Sequence, residues 1–225
     1  MRTLAHLSDL HFGRINPAIL DPLLSSLRKL SPALVAVSGD LTQRARTAEF
    51  VAARDFLQRI PFPQIVVPGN HDVPLHDVLA RFFRSLDRYQ RYITEDLQPL
   101  YADEEMVVVG VNTARALTWK DGRINRHQLA RLRAVLEPIG SQRMKIVVTH
   151  HPFDLPAGTR GEVVGRSRLA IKTLAECGVD MLLAGHFHIA DIGYTATRYN
   201  LPGYSALIVS SGTSTSTRGR GQPNS

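Results

Sequence analysis

Five short stretches of this 225-residue chain end an apolar run in side chains that can bind a metal or carry a proton. Leu4-Ala5-His6-Leu7-Ser8 leads into Asp9-Leu10-His11, and Leu34-Val35-Ala36-Val37 into Ser38-Gly39-Asp40. Gln64-Ile65-Val66-Val67 leads into Pro68-Gly69-Asn70-His71-Asp72, Lys145-Ile146-Val147-Val148-Thr149 into His150-His151-Pro152, and Met181-Leu182-Leu183-Ala184 into Gly185-His186-Phe187-His188. An amide offers a metal a neutral oxygen, an imidazole offers a nitrogen or a proton, and a carboxylate can hold an imidazole in one tautomer. Alone, Asn70-His71-Asp72 reads equally as a site or as a capped loop. Its four companions decide for a site.

The layout has a physical reason. In an open α/β sheet, ligands collect in the crevice outside the carboxyl ends of the strands, so residues distant in sequence converge there. Asp9 and His11, like His186 and His188, are two apart, which in extended chain puts both side chains on one side. Between the first strands, Asp21-Pro22 predicts a helix start, with Leu20, Leu23, Leu24, Leu27 and Leu30 as its apolar stripe. Thr47 is expected to cap the next helix, which carries Phe50, Val51, Phe56 and Leu57. Strand and helix alternating at this spacing predict right-handed βαβ crossovers and a parallel sheet. Val78 to Ile93 reads as an amphipathic helix. Asn125 with Gln128 resembles a capping box, and Gly178 is expected to close a helix from Arg166 to Cys177 in the left-handed conformation. After Ile189 the pattern turns to short strands, predicting an antiparallel continuation.

The ordered set Asp-x-His, Gly-Asp, Gly-Asn-His-Asp, His-x-Pro and Gly-His-x-His resembles the calcineurin-like metallophosphoesterase superfamily, over Asp9 to His188. The text around Gly39-Asp40-Leu41-Thr42 and Thr149-His150-His151-Pro152 is most similar to its bacterial class III cyclic-nucleotide phosphodiesterase branch. The resemblance implies an α/β fold of two packed mixed β-sheets flanked by helices, an α/β/β/α sandwich. It also implies two divalent metal ions. Asp40 would bridge them, Asp9, His11 and His188 would complete one site, and Asn70, His150 and His186 the other. Carboxylate, imidazole and amide ligands without thiolate suit Mn, Fe or Zn. The implied reaction is phosphodiester hydrolysis by a metal-bridging hydroxide, with cyclic nucleotides as one substrate group. His71 would stabilise the equatorial oxygens or protonate the leaving group, with Asp72 orienting it through the other ring nitrogen.

Two other functions are weighed. A UDP-diacylglucosamine-type pyrophosphohydrolase of lipid metabolism would, in its common type, carry Arg where His71 stands, although other lipid-pathway members of the superfamily keep His. A non-catalytic binding module on the same fold would be expected to lose ligands, and all seven are present. Arg44, His151 and Arg218 are candidate substrate contacts. For His151, alternation from His150 points the ring away, so it reads as core packing or as a substrate contact. His6 reads as a core histidine, and His76 and His127 as surface residues.

Size and composition predict one domain over residues 1–211, with residues 76–104 as a helical cap or as simple packing. Residues 212–225 are rich in Ser, Thr, Arg and Gly and contain no core-forming run. Relatives of this branch continue into further strand there, so the chain reads as a fragment or a short variant. The net charge of +7 favours anionic partners. No aromatic-plus-basic module is present, so nucleic acid is not expected; a small phosphodiester substrate is, and peripheral contact with lipid stays open. Cys177 is the only cysteine and no apolar run reaches the ~20 residues of a membrane span, so a cytoplasmic location is expected. The oligomeric state leaves no mark in the sequence.

Overall fold

A computed structural model describes residues 2–74, 84–115 and 121–218. Its first sheet holds β1 (Leu4–Leu7), β2 (Leu34–Val37) and β3 (Gln64–Val66), in that order and parallel. Its crossovers run through α1 (Leu20–Leu30) and α2 (Thr47–Gln58). The second sheet holds β4 (Leu100–Ala102), β5 (Met106–Gly110), β6 (Met144–Val148), β7 (Met181–Ala184), β8 (Asp191–Tyr194) and β9 (Leu207–Ser210), in the order β4-β5-β6-β7-β9-β8. Its centre is parallel, and β4 and β8 are antiparallel edges. The remaining helices are α3 (Asp87–Tyr92), α4 (Arg126–Leu136), α5 (Ser167–Glu176) and the single turn α6 (Thr195–Arg198).

Three apolar layers hold the sandwich together. Leu34, Ala36, Ile65, Val67, Val108, Ile146, Val148 and Leu183 fill the space between the sheets. Leu24, Leu27, Phe50 and Phe56 pack α1 and α2 on the first sheet's outer face. Leu129, Leu132, Ile171 and Leu174 do the same for α4 and α5 on the second. β2 and β5 are buried at every position, as strands covered on both faces must be, which is why they read as continuous apolar runs.

Several helix-end expectations change. Asp21 lies inside the first turn of α1; a 3₁₀ turn at Pro17–Ile19, capped by Asn16, precedes the helix. Thr47 is the first residue of α2 rather than its cap, because the Glu49 carboxylate already accepts from the N–H groups of Arg44 and Arg46. The Asn125–Gln128 box forms, and Gly178 has φ of 65°. Of the helix expected over 78–93 only α3 falls among the described residues; Leu79, Arg81, Phe82 and Phe83 lie outside them, as does His76.

The largest departure is the segment after β9. Residues 213–216, part of the 212–225 stretch expected to lie outside the core, are buried, as is Ser211 before them. They cross to the first sheet and bind the chain beyond β1: Thr213 Oγ1 donates to the Asp9 carbonyl (2.7 Å) and Thr215 Oγ1 to that of Leu10 (2.6 Å). Ser214 exchanges two hydrogen bonds with the Ser8 backbone, and Asn16 N–H donates to the Thr215 carbonyl. Hydroxyls bury cheaply when each is paired, so a Ser/Thr run can lie in the core.

His6 faces Ser38 Oγ at 2.8 Å, and its Nδ1 is buried without a hydrogen-bond partner. Burial lowers its pKa to about 4, against the opposing pull of Asp9. Since the folded pKa lies below the unfolded one, the neutral ring's stability is fully present above about 6.5 and is lost as pH falls toward 4. The loss is at most about 3 kcal/mol. The urea midpoint of the wild-type protein should therefore fall more between pH 7 and 4.5 than that of His6→Gln. Equal falls would show that His6 does not titrate on unfolding.

Candidate metal centre

All five ligand stretches reach the same crevice at the carboxyl ends of β1, β2, β3, β6 and β7. They do not reach it by extended alternation. Asp9 (φ 53°), His11 (50°), Asp40 (52°), His186 (79°) and His188 (58°) all occupy the left-handed region. Backbone of this kind is uncommon for residues with a Cβ and concentrates at functional sites, where the surrounding packing holds it. The turn sends Asp9 and His11 inward while Leu10 between them is fully buried; Phe187, between His186 and His188, lines the cleft. Gly69 and Gly185 make the approach possible: a Cβ on the first would strike Asp40, and on the second Ser8 and Asp9.

The donor atoms form two groups sharing Asp40. On one side, Asp9, His11, Asp40 and His188 bring their ligand atoms within 4.8 Å of one another. Asp9 Oδ1 is 3.2 Å from His188 Nε2 and 3.6 Å from His11 Nε2, and Asp40 Oδ2 is 3.7 Å from His11 Nε2. On the other side, Asp40 Oδ1 is 3.3 Å from His150 Nε2, while Asn70 Oδ1 lies 3.1 Å from His150 Nε2 and 3.0 Å from His186 Nδ1. Three histidines have their tautomer set from behind. His11 Nδ1 donates to the Thr42 carbonyl, His150 Nδ1 to that of Ser38 (2.8 Å), and His188 Nδ1 to that of Arg218, leaving each Nε2 lone pair aimed inward.

These donors fit a cation pair. Asp9 Oδ2 accepts from Ser8 Oγ (2.6 Å) and from the His186 N–H (3.0 Å), yet Asp9 Oδ1 is buried with no hydrogen bond. Burial opposes ionisation of Asp9, but the histidines around it outweigh that and hold its carboxyl well below the usual range. Burial, then the neighbouring His150, lowers His186 to about 4, so it presents a neutral nitrogen. Two ionised carboxylates thus sit beside inward lone pairs, the environment that a divalent ion stabilises.

Asp72 is not the partner of His71. Its buried carboxylate accepts from the N–H groups of Leu41 (3.1 Å), Thr42 (2.9 Å) and Gly69 (2.9 Å) and from Thr42 Oγ1 (2.9 Å), tying the Asp40 loop to the Asn70 loop. Burial, then the Asp40 charge, raises its pKa to about 6. His71 Nδ1 donates instead to the Gln43 carbonyl (2.8 Å), and its Nε2 faces Arg218 Nη1 at 3.2 Å. A backbone carbonyl does this because Asp72 sits on a 3₁₀ turn whose geometry sends its side chain back under the loop.

His151 lies beyond the strand end, where alternation no longer holds. Its buried ring packs 4.8 Å from His150 and 4.7 Å from His186, with Nδ1 2.8 Å from Thr113 Oγ1. It supports the site and does not line the cleft. Arg44 is exposed and stands away from the cleft lining; Arg218 is part of it. The cleft, about 350 Å³, is lined by Asn70, His71, His186 and His188 and also by Asp121, Arg160, Glu162 and Phe187. Nothing in the sequence marked Gln43, Thr113, Asp121, Arg160 or Glu162, because loop residues carry no periodicity.

Comparison with known proteins agrees with this geometry. Residues 2–190 match the family model for calcineurin-like phosphoesterases, and the chain belongs to that family, among the metal-dependent phosphoric ester hydrolases. More particularly, it is 24% identical over 204 residues to a probable cyclic nucleotide phosphodiesterase of Synechococcus, a match covering 84% of this chain and 74% of that one. It is 35% identical over 80 residues to a glycerophosphodiester phosphodiesterase of Enterobacter lignolyticus, covering 31% of this chain and 29% of that one. The fold superposes on purple acid phosphatase from yellow lupin seeds with a TM-score of 0.70 at 15% identity, over 95% of this chain and 44% of that one. It superposes on a dimetal phosphatase from Danio rerio with a TM-score of 0.66 at 14% identity, over 94% and 87%. No helix among the described residues is long and apolar enough to cross a membrane.

Proposed function

We propose that the protein is a dimetal phosphodiesterase acting on small diesters, with cyclic nucleotides the first substrate group to consider. The observation that carries this reading is Asp40, whose two carboxylate oxygens face separate donor groups, as a bridging ligand must. Divalent ions held there, Mn, Fe or Zn, would supply charge to the phosphoryl group and a water acidic enough to attack at neutral pH. Asp9, Asp40, Asn70 and the four histidines hold and orient. His71, fixed by the Gln43 carbonyl, presents Nε2 to the cleft, where it can meet a phosphoryl or leaving-group oxygen.

The preference for diesters is supported by the relatives, both of which bear the name of phosphodiesterases. A second substrate group, glycerophosphodiesters, is favoured by the relative that bears that name. With Mn²⁺, bis-p-nitrophenyl phosphate should be cleaved faster than p-nitrophenyl phosphate. 2′,3′- and 3′,5′-cyclic nucleotides, glycerophosphodiesters and UDP-diacylglucosamine then separate the physiological classes. A monoester preference would overturn the reading.

A further inference from the structure

We infer that Arg218 forms an oxyanion-binding subsite of the cleft, delivered to it by the buried 211–216 segment, and that its ligand is a non-bridging oxygen of a tetrahedral phosphoryl group. The segment is pinned by paired hydroxyls to the carbonyls of Asp9 and Leu10, so the residue that follows it has a defined position beside two metal-ligand stretches. Two atoms of Arg218 then do different things. Its backbone carbonyl accepts from His188 Nδ1, and its guanidinium reaches into the cleft, with Nη1 3.2 Å from His71 Nε2 and 3.5 Å from Gln43 Oε1.

Neither neighbour is a carboxylate: one is the Gln43 amide oxygen and the other a ring nitrogen of His71. Arginine stays protonated at any accessible pH, and the Arg218 guanidinium meets Gln43 Oε1 and His71 Nε2 through Nη1. A permanent cation thus lines the same cleft as Asp40, Asn70, His186 and His188. Several guanidinium N–H groups remain for a further acceptor, and the planar fork suits phosphoryl oxygens.

The inference rests on the phosphoesterase reading, so its test uses binding of a product-like anion rather than turnover. Inorganic phosphate is titrated calorimetrically into Mn²⁺-loaded wild-type, Arg218→Ala and Arg218→Lys proteins, with metal content and thermal midpoint measured on each. Because the His188 partner is a backbone carbonyl, both variants should keep their metal. Arg218→Ala should weaken phosphate binding by ~10- to 100-fold, the scale of a lost charge-assisted hydrogen bond. Arg218→Lys should lose less, and added guanidinium at low millimolar concentration should restore part of the affinity in Arg218→Ala alone. Phosphate affinity within twofold of wild type in Arg218→Ala would overturn the subsite. So would loss of metal in that variant, or no phosphate binding by the loaded wild type. If phosphate binding behaves as expected while no diester is cleaved, the subsite stands and the phosphodiesterase reading falls.

Discussion

Asp40→Asn should lower the turnover of bis-p-nitrophenyl phosphate by ~10²–10⁴-fold and should cost more than any other single ligand change. Asp9, His11 and His188 each serve one donor group, as do Asn70, His150 and His186. Asp40 alone turns Oδ2 toward His11 and Oδ1 toward His150. Its amide replacement keeps the shape but removes the charge shared by both sides and puts an NH₂ group against one of them. Several kcal/mol of charge stabilisation is the scale at stake, and each 1.4 kcal/mol is about tenfold in rate. The backbone N–H of His71 donates to Asp40 Oδ1 (2.8 Å), so the change also loosens the loop carrying Asn70 and His71. Elemental analysis should find two divalent ions per wild-type chain and fewer in the variant. At most one ion in the metal-replete wild type would sink the dimetal reading. An Asp40→Asn loss no larger than that of Asp9→Asn would refute a shared ligand.

His71→Ala should lower turnover by ~10²–10⁴-fold with metal content unchanged, the scale of a positioned acid or hydrogen-bond donor. Structure separates this side chain from the ligands. Its contribution to Asp40 comes from the backbone N–H, which alanine retains, and its ring is held by the Gln43 carbonyl and Arg218 rather than by a ligand side chain. The ring meets His11 edge-on at 4.9 Å, so its removal opens space beside the site without removing a donor. The loss should shrink for p-nitrophenyl esters, whose leaving group needs little protonation, and stay large for alkyl diesters. Metal occupancy that collapses in the variant would assign His71 to the metal-holding set instead. An equal loss on both ester types would leave stabilisation of the phosphoryl oxygens as its role.

The sequence by itself determined the alternating strand–helix order, the two-sheet class and the residues that converge. Strands covered on both faces must be apolar throughout, and ligand side chains must stand where those runs stop, so β2, β5, β6 and β7 and the polar groups that follow them are legible as local pattern. The Asn125–Gln128 box and Gly178 were legible for the same reason, since each is a contact within one turn of chain. What only the tertiary structure decided is how those groups are aimed. Left-handed φ at Asp9, His11, Asp40, His186 and His188 has no residue signature, because no glycine stands at any of them. The partners of Asp72 include the N–H groups of Leu41 and Thr42, about 30 residues away, and a carboxylate beside a histidine in sequence need not face it in space. For His151 the sequence leaves core packing and a substrate contact open, and only the tertiary structure decides for packing. Arg44 and Arg218 look alike as letters, yet only the second enters the cleft. Residues 213–216 look solvated because Ser and Thr are polar. They are buried because every hydroxyl that reaches across to Asp9 and Leu10 finds a carbonyl some 200 residues away, and a hydrogen bond over that separation exists only once both sheets have formed.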